Sequence, residues 1–516
     1  MVLPGGATPM SSEYDLSPTT PGDGTALTGE RARARQWNFS VRASGALTLT
    51  DNVDLAPSGQ EEADLVLGLS LPLGVRREGS RVKLKADYIP TVYLYARNDE
   101  SDELQNNLRS LLTLEAVEDF FFIDASANSY PTYVSPFLAR PESGASITQN
   151  RVQQTTLGLS PYLRHQTETG WRYLVRNENY WNTYSESELS ESATSRIFTE
   201  VETPPARLNY AFDYTYLYTR DQSQPVGYYQ QVGRFRPIFR ATRKLELSGR
   251  LGYESNDYLT EYSGSIYGAG IDWTPNPRTR LDGFVEHRFF GTSYGLDFNY
   301  RTRRTTWRLK GTRDTYTTID QPIALRPGTT AEVVDEAFRS KISDPVQREQ
   351  AVKQFLARAG LPPTLTEPTS FYTNQIYLAE QVSGSVALLG RRNTIDLTVF
   401  WQENQPVTAS GDILSGVFVT SERLRQWGVT LNASHRLTAF STVTLHATRL
   451  YALSVNPDVT FADAEIDSTQ DTVRLSLTRQ LSPKTDASIG LRWSDFDSTV
   501  NPYRELAALA VLGHNF

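Results

Sequence analysis

The chain has 516 residues, with 51 Lys and Arg against 59 Asp and Glu, a net charge of −8, and no cysteine. Without cysteine there are no disulfides, thiolate metal sites or Cys nucleophiles, and no basic stretch offers itself to nucleic acid. No run of about 18 apolar residues occurs, which excludes a bundle of membrane-spanning helices but not a barrel, whose strands turn only alternate residues to lipid.

Residues 1–35 are rich in Pro, Gly, Ser and Thr and end in the charged run Glu30–Arg35, the composition of a flexible periplasmic lead. Met1–Gly6 has neither the charged start nor the apolar core of a secretory signal, so one is expected to have been removed or to lie upstream. From Gln36 the pattern changes to strict alternation. Arg81–Tyr88, Arg207–Tyr216, Trp307–Lys310 and Val473–Leu477 all alternate polar with apolar residues, the period of a half-buried strand.

Short turns are expected at Glu78-Gly79, Glu118-Asp119, Thr169-Gly170, Pro204-Pro205, Arg243-Lys244, Asn276-Pro277, Arg303-Arg304, Arg391-Arg392, Ala439-Phe440 and Ser482-Pro483. Longer links fall between them, around 98–106, 131–152, 183–192, 221–227, 319–372, 403–422 and 454–469. Short turns at one end and long loops at the other are the layout of a bacterial outer-membrane barrel. The expected fold is therefore all-β: one large closed antiparallel transmembrane barrel over 36–516, of about 22 strands within a range of about 18–26. An even number is required if both ends lie in the periplasm.

One stretch departs from alternation. Thr329-Thr-Ala-Glu332 matches a capping box and is followed by apolar residues at helical spacing; Asp344-Pro345 begins a second such stretch that Gly360 stops. A helical insertion over 329–360 is expected in one outer loop. Val352, Phe355 and Leu356 are its candidate constriction residues, because the insertion is the only element expected to be long enough to narrow the opening. The chain ends on Leu506–Phe516, where Leu512, His514 and Phe516 share one face. A strand that stops on an aromatic residue suits barrel closure and the signal read by the barrel-insertion machinery.

If the apolar residue of each alternation faces lipid, then Val82, Leu84, Ala86, Tyr210, Phe212, Tyr214, Leu475 and Trp493 point outward. The opposite face carries Lys83, Lys85, Arg172, Arg176, Arg234, Arg236, Arg240, Asp282, Glu286, Arg308, Lys310, Arg474 and Arg492 as candidate pore-lining residues. Arg or Lys facing the middle of a bilayer costs roughly 2–4 kcal/mol, so these must face a hydrated interior. Two readings stay open for them: ion pairs that stiffen the wall, or, for Arg234, Arg236 and Arg240 on one strand, an anion-selective ladder. Tyr93, Tyr95 and Phe284 fall on the same face, where rings can stack on sugars.

Chemistry beyond conduction is not expected. His165, His287, His435, His446 and His514 are scattered singly, and no P-loop, GxSxG elbow or metal-ligand spacing occurs. The chain reads as a non-enzyme without metal or cofactor.

The N-terminal third carries Trp37, Leu49–Leu55, Lys85–Tyr88, Tyr93–Tyr95, Leu114-Glu115, Glu118-Asp119, Phe122–Ala125 and Ser160–Arg164. Over roughly 37–164 this pattern resembles the PEP-CTERM system-associated outer-membrane proteins, a group within the β-barrel porins whose genes tend to lie in exopolysaccharide and exosortase loci. Thr50-Asp51-Asn52 looks like a strand end entering a turn. The resemblance implies a Gram-negative outer-membrane conduit for exopolysaccharide, with membrane lipid, polysaccharide and periplasmic export components as partners. A barrel that anchors polysaccharide or a periplasmic partner without conducting, and a general small-solute porin, are the alternatives.

Overall fold

The computed structural model describes residues 37–98, 101–186, 189–222, 227–258, 261–316, 376–407, 423–455 and 466–516, with four isolated positions, Asp335, Phe338, Arg348 and Val352, between them. The wall begins with β1 (Trp37–Thr50), β2 (Asp64–Ser70), β3 (Leu73–Glu78), β4 (Val82–Tyr95) and β5 (Glu103–Val117). β6 (Phe121–Tyr133), β7 (Arg151–Gln166), β8 (Arg172–Tyr184), β9 (Ser192–Glu202), β10 (Leu208–Asp221) and β11 (Tyr228–Thr242) continue it. Next come β12 (Leu245–Asn256), β13 (Tyr262–Asn276), β14 (Thr279–Arg288), β15 (Gly291–Arg301) and β16 (Thr305–Tyr316). β17 (Tyr377–Leu389), β18 (Asn393–Pro406), β19 (Arg423–Arg436), β20 (Ser441–Val455), β21 (Ile466–Gln480), β22 (Thr485–Ser498) and β23 (Tyr503–Asn515) complete it.

β2 and β3 both lie between β1 and β4 and share one line. They are one wall strand interrupted at Leu71-Pro72, where proline has no N–H to give the ladder. Counting them as one gives a wall of 22 strands. Every pairing is antiparallel, and β23 pairs with β1 from Arg42↔Asn515 to Thr50↔Ala507, so the sheet closes on itself and leaves no edge. The last backbone N–H, that of Phe516, donates to the Val41 carbonyl at 3.0 Å.

Alternation sorts the wall into two faces. On β10, Leu208, Tyr210 and Phe212 are 48, 40 and 47 % exposed, whereas Asn209, Ala211 and Asp213 between them are 4, 2 and 6 % exposed. The exposed face is apolar and the covered face polar, the inverse of a soluble protein, and only hydrocarbon outside makes that arrangement favourable. Two aromatic girdles bound the outer face. Trp37, Phe39, Trp171, Tyr173, Trp273, Trp307 and Phe516 stand at the end where the chain begins and stops; Trp181, Tyr218, Tyr253, Trp401 and Trp427 stand toward the other.

All of the short turns expected from the sequence fall at the first of these ends, and the long links at the second. The loop end also holds connections the sequence reading left out, at 51–63, 257–261, 289–290 and 499–502. Elements among the described residues are all strands. The helical insertion expected over 329–360 lies outside them except for the four isolated positions, and gains no support.

Candidate functional site: a polar lumen crossed by an inward loop

All the candidate pore-lining residues stand on the inner face: Lys83 and Lys85 on β4, Arg172 and Arg176 on β8, Arg234, Arg236 and Arg240 on β11, Asp282 and Glu286 on β14, Arg308 and Lys310 on β16, Arg474 on β21 and Arg492 on β22. Tyr93, Tyr95 and Phe284 share that face. From β6 to β16 the charges are tied into successive ion-pair networks that bridge neighbouring strands. Arg176 bridges Asp124 at 2.8 Å and Glu178 at 2.9 Å, and Glu178 also meets Arg196. Arg236 joins Glu200 and Asp213, each at 2.7 Å. Arg234 passes from Asp213 to Glu286, which is shared with Arg250 at 2.7 Å. Arg288 links Glu254 at 2.9 Å and Asp314 at 2.6 Å.

The reach from β11 to β14 depends on two absent side chains. Gly252 lies opposite Arg234 and Gly268 opposite Glu286. A Cβ on Gly268 would come within 2.7 Å of the Glu286 Cβ, and one on Gly252 within 3.2 Å of the Arg234 Cγ. The glycines open the lane along which the guanidinium crosses two strands to its carboxylate.

This bears on the two readings left open for these arginines. Arg234, Arg236 and Arg240 are not a bare cationic ladder, because Arg240 too is held by Glu246 at 2.7 Å and each positive charge faces an acid. Wall stiffening is the better account of them. A buried pair loses hydration on both sides, and it survives only where geometry restores the lost bonds.

The inner face of β17–β20 differs. It carries buried Gln381, Ser383, Ser385, Thr394, Thr398, Gln402, Asn404, Gln426, Thr430, Asn432, Ser434, Thr442, Thr444 and Thr448, with one carboxylate, Asp396, and one turn-end arginine, Arg436. His446 stands partway along β20, the last strand of this face. Its Nδ1 lies 2.7 Å from Asn432 Oδ1 and its Nε2 3.1 Å from the Thr448 hydroxyl. Because an amide oxygen only accepts, Nδ1 carries the proton and Nε2 accepts from Thr448. That resembles an activated nucleophile, but neighbouring backbone N–H groups are spent in the β19–β20–β21 ladders, so none converges as an oxyanion hole. The histidine is read as part of a neutral polar wall. Among the described residues no group of acids and histidines is placed to hold a metal.

The lumen is narrowed by the β6–β7 connection, residues 134–150, which folds inward. Asn150 closes its neck: Oδ1 accepts the N–H of Ser135 at 2.8 Å and of Val134 at 3.2 Å, and Nδ2 donates to the Ser135 carbonyl at 2.9 Å. From there the segment reaches strands on the far side of the wall. Ser468 donates to the Pro136 carbonyl at 3.2 Å and Ser498 to the Phe137 carbonyl at 2.9 Å. The Arg140 carbonyl accepts from Gln470 at 2.8 Å and from the Tyr503 hydroxyl at 3.2 Å.

Apolar contacts follow the same path. Phe137 packs with Leu424 and Ala452, Ala139 with Leu55, Phe496 and Tyr503, and Ala145 with Val53, Val66 and Tyr95. Val134 meets Val152 and Leu189 near the neck. The 51–63 connection braces this segment: Ile147 N–H donates to the Val53 carbonyl at 2.9 Å. β1 does end at Thr50, and Asn52 organises the turn by bonding Ala56 and the Arg504 carbonyl. Arg140 is covered, its guanidinium 5.7 Å from the Phe496 ring. Burial pushes its pKa down from the ordinary value, partly opposed by Tyr503, Tyr133 and Glu142.

The expectation that 329–360 is the only stretch able to narrow the opening is therefore overturned. Phe355 and Leu356 lie outside the described residues, Val352 is an isolated buried position, and 134–150 crosses the lumen. The sequence did hold a signal: Val134, Phe137, Leu138, Ala139, Ala145 and Ile147 are too apolar for a loop in water. At closure, His514 packs edge-on against Phe516, with ring centres 4.9 Å apart, while Leu512 faces outward.

No protein-family model and no curated protein sequence matches the chain. Among solved structures, the FrpB iron transporter from Neisseria meningitidis is similar at 9 % identity and a TM-score of 0.49, over 93 % of this chain and 81 % of that one. The siderophore receptor PirA from Acinetobacter baumannii has the same identity, coverage and TM-score. OccK5 (OpdH) from Pseudomonas aeruginosa is 9 % identical with a TM-score of 0.33, over 93 % and 98 % of the two chains. Likeness this distant transfers neither ligand nor mechanism, and the barrel stands on its own strand pairing.

Proposed function

We propose that this chain is a passive conduit in the outer membrane of a Gram-negative bacterium, and that it carries a polar saccharide chain, most simply an exopolysaccharide. The observation that carries the reading is the pairing of an apolar outer belt with an inner wall whose β17–β20 arc is built of amides and hydroxyls. Such groups exchange hydrogen bonds with sugar hydroxyls at little net cost, so a polymer slides past them without being trapped. The resemblance of residues 37–164 to barrels of exopolysaccharide loci supports the same assignment.

A second reading, a small-solute porin, is favoured by the 134–150 segment, since a lumen spanned by a packed loop passes small molecules more readily than a polymer. Deleting the gene and measuring cell-surface polysaccharide separates the two. The polymer reading expects surface polysaccharide to fall while synthesis continues inside the cell. Unchanged export overturns it and leaves the porin or a barrel that anchors without conducting.

A further inference from the structure

One part of the wall combines uncommitted charge with uncommitted hydrogen-bonding groups. Arg474 on β21 and Arg492 on β22 are direct cross-strand partners, and so are Thr472 and Ser494, one step nearer the loop end. Arg492 donates to Glu505 at 2.7 Å, and Glu505 also accepts from Thr50, so that carboxylate is committed. Arg474 is exposed in the lumen and forms no ion pair among the described residues. Thr472 and Ser494 are each 1 % exposed, and their hydroxyls have no hydrogen-bond partner, nor does Arg492 Nε.

Leaving two buried hydroxyls and a guanidinium nitrogen unused is costly unless something visits them. All of them face inward on adjacent strands. Gln470, which anchors the inward loop, is only one step above Thr472, about 7 Å along the strand. Anything passing the loop therefore meets this group next. The loop also brings an acid: Glu142 is exposed in the lumen and lies within electrostatic range of both His446 and Arg474.

We propose that Arg474, Arg492, Thr472 and Ser494 form a binding site for the carboxylate of an acidic sugar, and that Glu142 competes for it. A guanidinium presents paired N–H donors that match a planar carboxylate, and the two hydroxyls and Arg492 Nε add donors around it. Neutral amides and hydroxyls on the neighbouring β19–β20 wall are left to bind the sugar hydroxyls. This rests on the saccharide-conduit reading and narrows it to polymers containing uronate units.

The test is binding to the full chain refolded in detergent, measured by calorimetry, so that it does not depend on conduction. Digalacturonate, lactose and acetate are the probes. Digalacturonate is expected to bind, with lactose and acetate each at least about tenfold weaker. Arg474→Gln and the double variant Thr472→Val/Ser494→Ala should each weaken digalacturonate about tenfold, and Glu142→Gln should tighten it a few-fold. Heat-modifiable gel mobility confirms that each variant is a folded barrel. Equal binding of lactose overturns the carboxylate site. Equal binding of acetate overturns the saccharide half and leaves a simple anion site. Absence of digalacturonate binding, or binding unaltered in both the arginine and the hydroxyl variants, overturns the whole proposal. Loss of polysaccharide export on gene deletion together with absent uronate binding would leave the conduit standing and remove only this site.

Discussion

The two arcs of the lumen wall, β6–β16 and β17–β20, have the same backbone, the same outer belt and opposite interiors. In the first, arginines and acids lock neighbouring strands together through shared partners such as Glu286 and Asp213. In the second, amides and hydroxyls line the wall, and several, among them Gln402 and Gln426, retain unused hydrogen-bonding atoms. The inward loop grows from the start of the charged arc and ends against the far wall, at Leu424, Ala452, Ser468 and Ser498. A wide barrel needs one region that holds shape and another that meets the solute. Ion pairs do the first because they tie neighbouring strands together, and neutral hydrogen-bonding groups suit the second.

Glu286→Gln should produce the largest loss of stability, since it leaves Arg234 and Arg250 facing an amide in a buried setting. A cost of about 3–5 kcal/mol is expected, read as a lowered urea midpoint for barrels in lipid vesicles. If that variant unfolds like the parent, the ion-pair network is decoration and the contrast between the arcs fails. Gly268→Val should cost about 1–3 kcal/mol, because its side chain would occupy the lane to Glu286; pairing it with Glu286→Gln should give less than the sum of the two. Ser468→Ala and Ser498→Ala, which release the loop carbonyls, should each cost about 0.5–1.5 kcal/mol and increase current noise in planar bilayers. Gln426→Leu, on the neutral arc, should change stability by no more than about 0.5 kcal/mol, because its amide loses no partner. A destabilisation there as large as that of Glu286→Gln would erase the distinction.

Much of the wall was legible in the sequence. Period two fixes which residues face out, so Tyr210, Phe212 and Trp493 could be assigned to lipid from alternation alone, and pairs such as Thr169-Gly170 marked turns through their backbone chemistry: Gly170 has a φ of +89°. Strand number followed from the turns. Partners did not follow, because Arg234 finds Glu286 only through a register that spans 52 positions and depends on glycines between them. The break at Leu71-Pro72 was hidden because two short strands serve as one. The inward loop was misplaced for a related reason: a connection has no period, and its apolar residues acquire meaning only once the far wall is in place to receive them.

Single-channel conductance tests the central claim, a lumen crossed by 134–150, most directly. Residues 136–147 replaced by a short Gly/Ser link, in a barrel that keeps its heat-modifiable mobility, should conduct several-fold more than the parent in planar bilayers, with larger neutral polymers now able to enter. Conductance and polymer cut-off equal to those of the parent would contradict it.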